Sequence, residues 1–213
     1  LGEGEETFSK LVKMERMSKD SYAEGICPNA SMKSQKSQKA QKVQKSQKSQ
    51  KSQEYQEELL PGIAVLCEGR VRNTGLARPV NMDQVPFLYR DLSLFDNRIL
   101  YYESSRGCPY RCSYCLSSID KKVRLRDMEI VRQELQFFLD HRVKQVKFID
   151  RTFNCDHAHA MGIWQYIYEH DNGITNFHFE IAADILREDE IALLRKFRPG
   201  LAQLEIGVQS VNP

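Results

Sequence analysis

Apolar and polar residues follow a regular order along the second half of the chain. Four short runs rich in branched and aromatic residues predict strands, over residues 98–104, 143–150, 175–183 and 201–210. Three runs between them repeat apolar residues every three or four positions and predict helices, over residues 126–140, 156–170 and 187–197. This alternation is typical of a parallel sheet with right-handed crossovers. We therefore expect the α/β class, either a partial (β/α) barrel or an open doubly wound sheet, with ligands at the carboxyl ends of the strands.

The first half of the chain shows no such order and predicts a different organisation. Residues 1–32 begin with a predicted helix and continue as a polar, irregular stretch. Residues 33–58 form a low-complexity linker of Lys, Gln and Ser, which we expect to be disordered because it holds almost nothing apolar to bury. Residues 59–97 are predicted to be a connecting segment with a hairpin over 62–73. Residues 98–213 then carry the alternation of strands and helices as the core.

The linker also dominates the charge of the chain. Residues 33–53 contain seven lysines and no acidic residue, so the formal charge of +2 becomes −5 without them (2 − 7). The weakly basic character of the protein therefore belongs to one tract. The remaining residues give no reason to expect a nucleic-acid surface.

The sequence predicts neither a membrane span nor an export signal. No apolar run reaches about 18 residues. The first residues, "LGEGEETFSKLVK", lack a basic start followed by an apolar core. We therefore expect a cytoplasmic protein without a membrane partner. In that reducing compartment, closely spaced cysteines bind metals or carry redox chemistry more often than they form disulfides.

The stretch that carries candidate chemistry is "RGCPYRCSYC", residues 106–115, which holds three thiols within eight positions. Cys108, Cys112 and Cys115 follow the first predicted strand, at the end where ligands are expected. Three thiolates would hold a 4Fe–4S cluster and leave one iron open for a small molecule. The alternative is a structural zinc site, for which Cys67 or Cys155 would supply the fourth ligand.

The same stretch resembles a known enzyme family. "CPYRCSYC" matches the C-x3-C-x-aromatic-C signature of radical S-adenosylmethionine (SAM) enzymes. Three later segments resemble strands two to four of the radical SAM group that has a cobalamin-binding domain and includes the anaerobic magnesium-protoporphyrin ester cyclase. They are "VKFIDRTFN" (146–154), "FHFEIAADIL" (177–186) and "LEIGVQS" (204–210). "GEGEETF", near the start, resembles the tail of that cobalamin-binding domain, so residues 1–32 would be its remnant.

The resemblance implies a partial barrel of radical SAM type that binds a 4Fe–4S cluster through the three cysteines and SAM at the open iron. The reaction it implies is one-electron cleavage of SAM to methionine and a 5′-deoxyadenosyl radical, which abstracts hydrogen from an unidentified small-molecule substrate. The electron would come from a donor such as flavodoxin or ferredoxin. The implied SAM contacts are Tyr114 at the adenine, Asp150 at the amino group, Glu180 at the ribose or amino group, and Gln209 and Ser210 at the ribose or carboxylate.

Two features of the family pattern are absent from this sequence. The Asp-x-His-x-x-Gly motif that binds cobalamin does not occur, and neither do the last barrel strands, which complete the SAM site. We therefore expect a fragment of a longer enzyme, truncated after the fourth strand, that does not itself bind cobalamin. Two other hypotheses stay open: a structural zinc-binding module with a basic tether, and a cluster-bearing chain without turnover.

Other residues with candidate chemistry have simpler explanations. His157 and His159 stand two positions apart on a predicted helix, so they do not share a face, and we expect both to be solvated. Trp164 and His178 are predicted in the interior. Glu205 is predicted as an ion-pair partner inside the barrel.

Overall fold

The computed structural model divides the chain into two compact units, Leu1–Val80 and Asn81–Pro213. The residues it describes are 4–17, 60–67, 69–118, 120 and 122–208. The predicted low-complexity linker lies outside them, as do Gln209 and Ser210. The predicted domain boundaries stay predictions.

The described residues of the first unit form one helix and one hairpin. These elements are α1 (Glu5–Met17), β1 (Ala64–Cys67) and β2 (Arg70–Asn73). The two strands pair antiparallel, and Gly69 at their turn has a φ of 74°, which glycine adopts without strain. The N-terminal helix and the hairpin expected from the sequence are therefore confirmed.

The second unit alternates strands and helices in the order that the sequence predicts. Its elements are β3 (Leu100–Tyr102), β4 (Ser105–Arg106), β5 (Arg124–Leu125), α2 (Met128–Asp140), β6 (Gln145–Phe148), α3 (His157–Glu169), β7 (Asn176–Ile181), α4 (Glu188–Leu194) and β8 (Ala202–Ile206). Strands β3, β6, β7 and β8 form one parallel sheet in that order. The α/β class with a parallel sheet is therefore confirmed. The antiparallel pair of β4 and β5 is a feature that the sequence pattern does not predict.

Large aromatic side chains fill the space between the sheet and its helices. Side chains alternate across a strand, so Phe148, Phe177 and Phe179 all lie on one face and are fully buried there. Trp164 of α3 joins this cluster, with its ring centroid 6.0 Å from that of Phe179. Trp164 is therefore the core residue that the sequence predicts.

One tyrosine hydroxyl covers the outer edge of strand β3. Tyr89 Oη donates to the Tyr101 carbonyl oxygen at 2.8 Å and accepts from the Tyr101 amide nitrogen at 2.9 Å. Tyr101 is the middle residue of a three-residue strand, so its backbone groups are the ones that point away from β6. A side chain from the preceding segment thus takes the place of a neighbouring strand.

A buried ion pair fixes the segment before β3 to the core. The Arg126 guanidinium binds Glu134 through Nη2 at 2.6 Å and Nε at 2.9 Å, and the Tyr102 hydroxyl donates to the same carboxylate at 2.7 Å. Arg126 also donates to the carbonyl oxygen of Met82 and, at 2.9 Å, to that of Val85. Both charged side chains are buried, so each offsets the charge of the other where water does not.

Replacing Glu134 by alanine would leave the Arg126 guanidinium buried without its carboxylate. We expect the free energy of unfolding, measured by urea denaturation, to fall by about 3–5 kcal/mol, because the remaining charge is uncompensated. The matched control is Glu129→Ala, which removes an exposed carboxylate 3.5 Å from Arg132 on the same helix. That change should cost at most about 1 kcal/mol. Equal losses in the two variants would contradict the prediction.

Candidate metal and cofactor site

The three cysteines of the triplet lie in one loop, residues 107–123, which we call the cysteine loop. Its base is closed by the antiparallel pair of β4 and β5, in which Ser105 lies opposite Leu125. Further into the loop, the Cys108 amide donates to the Asp120 carbonyl oxygen at 3.3 Å. The first and last residues of the loop are therefore held next to each other, at the pair of β4 and β5.

Gly107, the first residue of the loop, permits a close approach of the two backbone segments. Its φ is 106°, a conformation that L side chains rarely adopt. A Cβ at this position would also lie 3.0 Å from the Lys122 carbonyl carbon and 3.2 Å from the Val123 Cα, and closer still to the Lys122 oxygen. Glycine is therefore required for the two ends of the loop to lie side by side.

The three thiols differ in their exposure. Cys108 is 9% exposed, Cys112 is exposed and Cys115 is half-buried, and none of them is in a disulfide. The Cys115 amide donates to the Cys112 carbonyl oxygen at 3.1 Å, which turns the chain between the second and third thiol. Within the described part of the chain, no three His, Cys, Asp or Glu side chains converge closely enough to hold a metal ion. The chemistry of the donor set, three thiols on one loop, fits an iron–sulfur cluster.

The cysteine loop meets the carboxyl edge of the parallel sheet. Cys108 Sγ lies 3.7 Å from Thr152 Oγ1, in the segment that follows β6. Burial raises the pKa of Tyr110, and the charge of Asp184, which follows β7, raises it further. The first thiol therefore lies at the edge where ligands of this fold class are expected.

Three alternate residues after β6 tie this edge together. Asp150, Thr152 and Asn154 are polar, yet all three are buried. Asn154 Nδ2 donates to the Ala182 carbonyl oxygen at 2.9 Å, and Asn154 Oδ1 accepts from the Ala182 amide at 2.9 Å. Asp150 binds residues before the cysteine loop, and Thr152 contacts Cys108. Residues 150–154, which we call the connector segment, therefore join the carboxyl ends of β3, β6 and β7.

The carboxylate of Asp150 is the most buried group of the connector segment, at 1% exposure. Its Oδ1 accepts from Ser104 Oγ at 2.8 Å and from Ser105 Oγ at 2.5 Å, and its Oδ2 accepts from the Ser104 amide at 3.1 Å. Burial raises the pKa of Asp150 to about 6, and the hydrogen bonds from the two serines oppose that rise. Protein donors thus occupy both oxygens, and contact with the SAM amino group stays a prediction.

A buried histidine extends this network. His159 Nε2 lies 3.1 Å from Ser104 Oγ. Since Ser104 Oγ donates to the ionised Asp150, it accepts from His159, which assigns the histidine proton to Nε2. The solvated position predicted for His159 is wrong: its helical turn packs under the residues after β3, and burial lowers its pKa. The three residues do not form a nucleophilic triad, because Ser104 is fully buried and Asp150 contacts the serine instead of the histidine.

Glu180 belongs to a cluster of ion pairs on the polar face of the sheet. Lys147 Nζ lies 3.4 Å from Glu180 Oε1 and 3.1 Å from Glu205 Oε2. His178 Nε2 lies 3.0 Å from the same Glu205 oxygen. The hydrogen bond from Lys147 lowers the pKa of Glu205. Glu205 therefore forms the ion pair that the sequence predicts, although its side chain is exposed and not in the interior, and Glu180 shares the same cation.

The structure brings some of the predicted site residues together. The first thiol and Asp150 lie at the carboxyl edge, whereas Glu180 lies on the polar face of the sheet. Tyr114 is 81% exposed on the cysteine loop. Sequence reasoning missed Thr152 and Asn154, although polar residues at alternate positions directly after a buried strand were a usable signal.

The described residues thus form an α/β protein whose parallel sheet carries a loop with three thiols at its carboxyl edge. The family model described as "Radical SAM superfamily" matches residues 102–213 of this chain. The chain therefore belongs to the radical SAM superfamily, and the family expected from the resemblance of its cysteine motif is confirmed. Among the helices in the described residues, none has the length and apolar content that a bilayer crossing requires.

Two curated relatives match parts of the chain. An uncharacterized methyltransferase of Pyrococcus horikoshii is 31% identical over 113 residues, which cover 48% of this chain and 24% of that protein. The 2-(S-pantetheinyl)-carbapenam-3-carboxylate methyltransferase of Streptantibioticus cattleyicolor is 35% identical over 54 residues, which cover 24% of this chain and 8% of that protein. The chain thus spans about a quarter of the length of the first relative.

A solved structure also matches part of the chain. It is the radical S-adenosylmethionine methyltransferase TsrM from Kitasatospora setae, with cobalamin and a 4Fe–4S cluster bound. The match has a TM-score of 0.47 at 20% identity, and covers 55% of this chain and 23% of that one.

Replacing Gly107 by alanine should destabilise the protein by more than about 2 kcal/mol, because both the positive φ and the Lys122 backbone oppose a Cβ. The matched control is Gly173→Ala. Gly173 also has a positive φ, of 75°, but open space around it. This variant carries the conformational cost alone, about 1 kcal/mol. Urea denaturation measures both, and equal losses would show that the close approach at Gly107 does not matter.

Asp150 predicts a pH dependence of stability. Folding raises its pKa from 3.8 to about 6, so the unfolded chain releases this proton at lower pH than the folded one. The contribution of Asp150 to stability is therefore full below about pH 4 and is lost as the pH rises through about 6, by at most about 3 kcal/mol. Urea denaturation across this range measures the effect. The Asn side chain of Asp150→Asn cannot titrate, so this variant should lack the fall. If the free energy of unfolding changed with pH in the same way in the parent and the variant, the prediction would be wrong.

Proposed function

We propose that this chain acts as a radical SAM enzyme in which Cys108, Cys112 and Cys115 hold a 4Fe–4S cluster and SAM binds the fourth iron. The observation that carries the proposal is the thiol triplet on a loop whose base is closed beside the carboxyl ends of a parallel sheet. Membership of the superfamily supports it. When bound, the two cofactors supply reductive cleavage of SAM and a 5′-deoxyadenosyl radical that abstracts hydrogen.

The residues of the chain bind and orient in this proposal. The exposed ring of Tyr114 would lie against the adenine, and Glu180 would accept from the ribose or the amino group. Gln209 and Ser210 would bind the ribose or the carboxylate. Arg106, directly before the loop, donates to the Glu103 carboxylate through Nε at 2.9 Å and Nη2 at 2.6 Å. Glu103 therefore offsets the charge of Arg106 in the absence of a ligand.

Anaerobic reconstitution with iron and sulfide tests the proposal. We expect about four irons per chain and an EPR signal of the reduced cluster that changes when SAM is added. Cys112→Ala should lose most of the iron. The control is Cys155→Ala, which should keep it, because burial raises the pKa of Cys155 to about 11 and keeps that thiol protonated.

The possible outcomes separate the rival functions. A colourless protein that holds one zinc would contradict the proposal and support a zinc-binding module with a basic tether. Bound iron with neither 5′-deoxyadenosine nor S-adenosylhomocysteine formed in a single turnover would indicate a cluster-bearing chain without activity. Equal iron loss in Cys112→Ala and Cys155→Ala would mean that the ligand set is misassigned.

The two curated relatives favour methyl transfer as the reaction class, since both are named methyltransferases. The same single-turnover assay reports on it, because methyl transfer yields S-adenosylhomocysteine in addition to any 5′-deoxyadenosine. An electron donor such as flavodoxin or ferredoxin and a cytoplasmic location complete the proposal.

A further inference from the structure

We infer that Asp150 is a positioning residue of the cysteine loop, which it holds against the end of β6 through Ser104 and Ser105. The inference deepens the proposed function and rests on it for the cluster-bound measurement alone. Ser105 begins strand β4, and the first proposed ligand follows three residues later, at Cys108. A carboxylate that fixes Ser105 therefore fixes the point from which the ligand set departs.

Burial makes the hydrogen bonds of Asp150 depend on one another. A carboxylate removed from water is stable only while its oxygens are satisfied. Both serine hydroxyls converge on Oδ1, at 2.8 and 2.5 Å, and the Ser104 amide reaches Oδ2 at 3.1 Å. Any displacement of β4 from the end of β6 would leave the buried charge short of donors. The charge thus opposes movement of the loop entry.

Two further contacts restrain the same region from neighbouring elements. His159 of α3 contacts Ser104 Oγ at 3.1 Å. Thr152, two residues after Asp150, lies 3.7 Å from the Cys108 sulfur. The entry of the cysteine loop is therefore bound both by the connector segment and by the first turn of α3.

The same contacts indicate that Asp150 holds the protein chain and does not bind a cofactor directly. Asp150 is 1% exposed, and its oxygens already accept three hydrogen bonds from the chain. A side chain in this position acts on bound cofactors through the loop that it holds. Its removal should therefore change how the thiols are presented.

Thiol alkylation of the reduced, metal-free chain measures this presentation. We compare the parent with Ser105→Ala, which removes one hydrogen bond, and with Asp150→Asn, which places an amide donor or a neutral acceptor opposite the Ser104 amide. We expect the alkylation rate of Cys108, relative to the exposed Cys112, to rise about tenfold in Ser105→Ala and further in Asp150→Asn, as loss of a hydrogen bond to a charged group implies. The rate of Cys155 should stay unchanged in Ser105→Ala, which keeps the Asp150 charge that raises the pKa of Cys155.

Matched variants decide between positioning and general destabilisation. Ser105→Thr keeps the hydroxyl and should restore the slow rate of Cys108. Ser93→Ala changes an exposed serine in the turn before β3 and should have no effect. An unchanged Cys108 rate in Ser105→Ala would overturn the inference, and so would equal acceleration of Cys108 and Cys155.

A second measurement uses the reconstituted protein. Ser105→Ala should keep the iron content of the parent but shift the midpoint potential and the EPR signal of the cluster. An unshifted potential at full iron content would overturn the inference, whereas a parent chain that binds no iron would overturn the proposed function. In that second case the alkylation rates of the metal-free chain still decide the role of Asp150.

Discussion

A loop that carries three thiols can hold a metal group only as well as its two ends are held, because every mobile residue adds conformational entropy that binding must remove. In this chain the ends meet at β4 and β5, and Gly107 allows their backbones to touch. The buried Asp150 carboxylate then joins this closed base to the sheet.

The connector segment serves the core and the site at once. Phe153 lies between its polar residues and packs against Phe148 and Trp164, with ring centroids 5.2 and 5.3 Å away. That aromatic anchor keeps the polar side chains on either side of it in place, so that Thr152 faces Cys108 and Asn154 faces Ala182. The burial of Phe153 thus orients the side chains of Thr152 and Asn154, whose contacts join parts of the chain that are not paired as strands.

The parts that the sequence predicts are those encoded by neighbouring residues. Strand alternation and helical periodicity are local patterns, so β6, β7 and α3 follow from them directly. The thiol spacing is equally local, and it led to the family. Ser104 and His159 were not foreseen in their roles, because they lie 55 positions apart and meet only when α3 packs beneath the end of β3. The burial of Arg126 likewise depends on Met82, 44 positions earlier.

The hydroxyl of Tyr89 has a consequence for how the molecule meets other molecules. A free strand edge offers amide and carbonyl groups on which a foreign strand can start to add. Strand β3 has one residue, Tyr101, whose backbone faces that way, and a single phenol satisfies both of its groups. Intermolecular β-sheet growth on this side would first have to break two hydrogen bonds and move an aromatic ring that also packs on Phe95 and Phe138. The Tyr89 hydroxyl therefore leaves neither backbone group of Tyr101 unpaired for a foreign strand to bind.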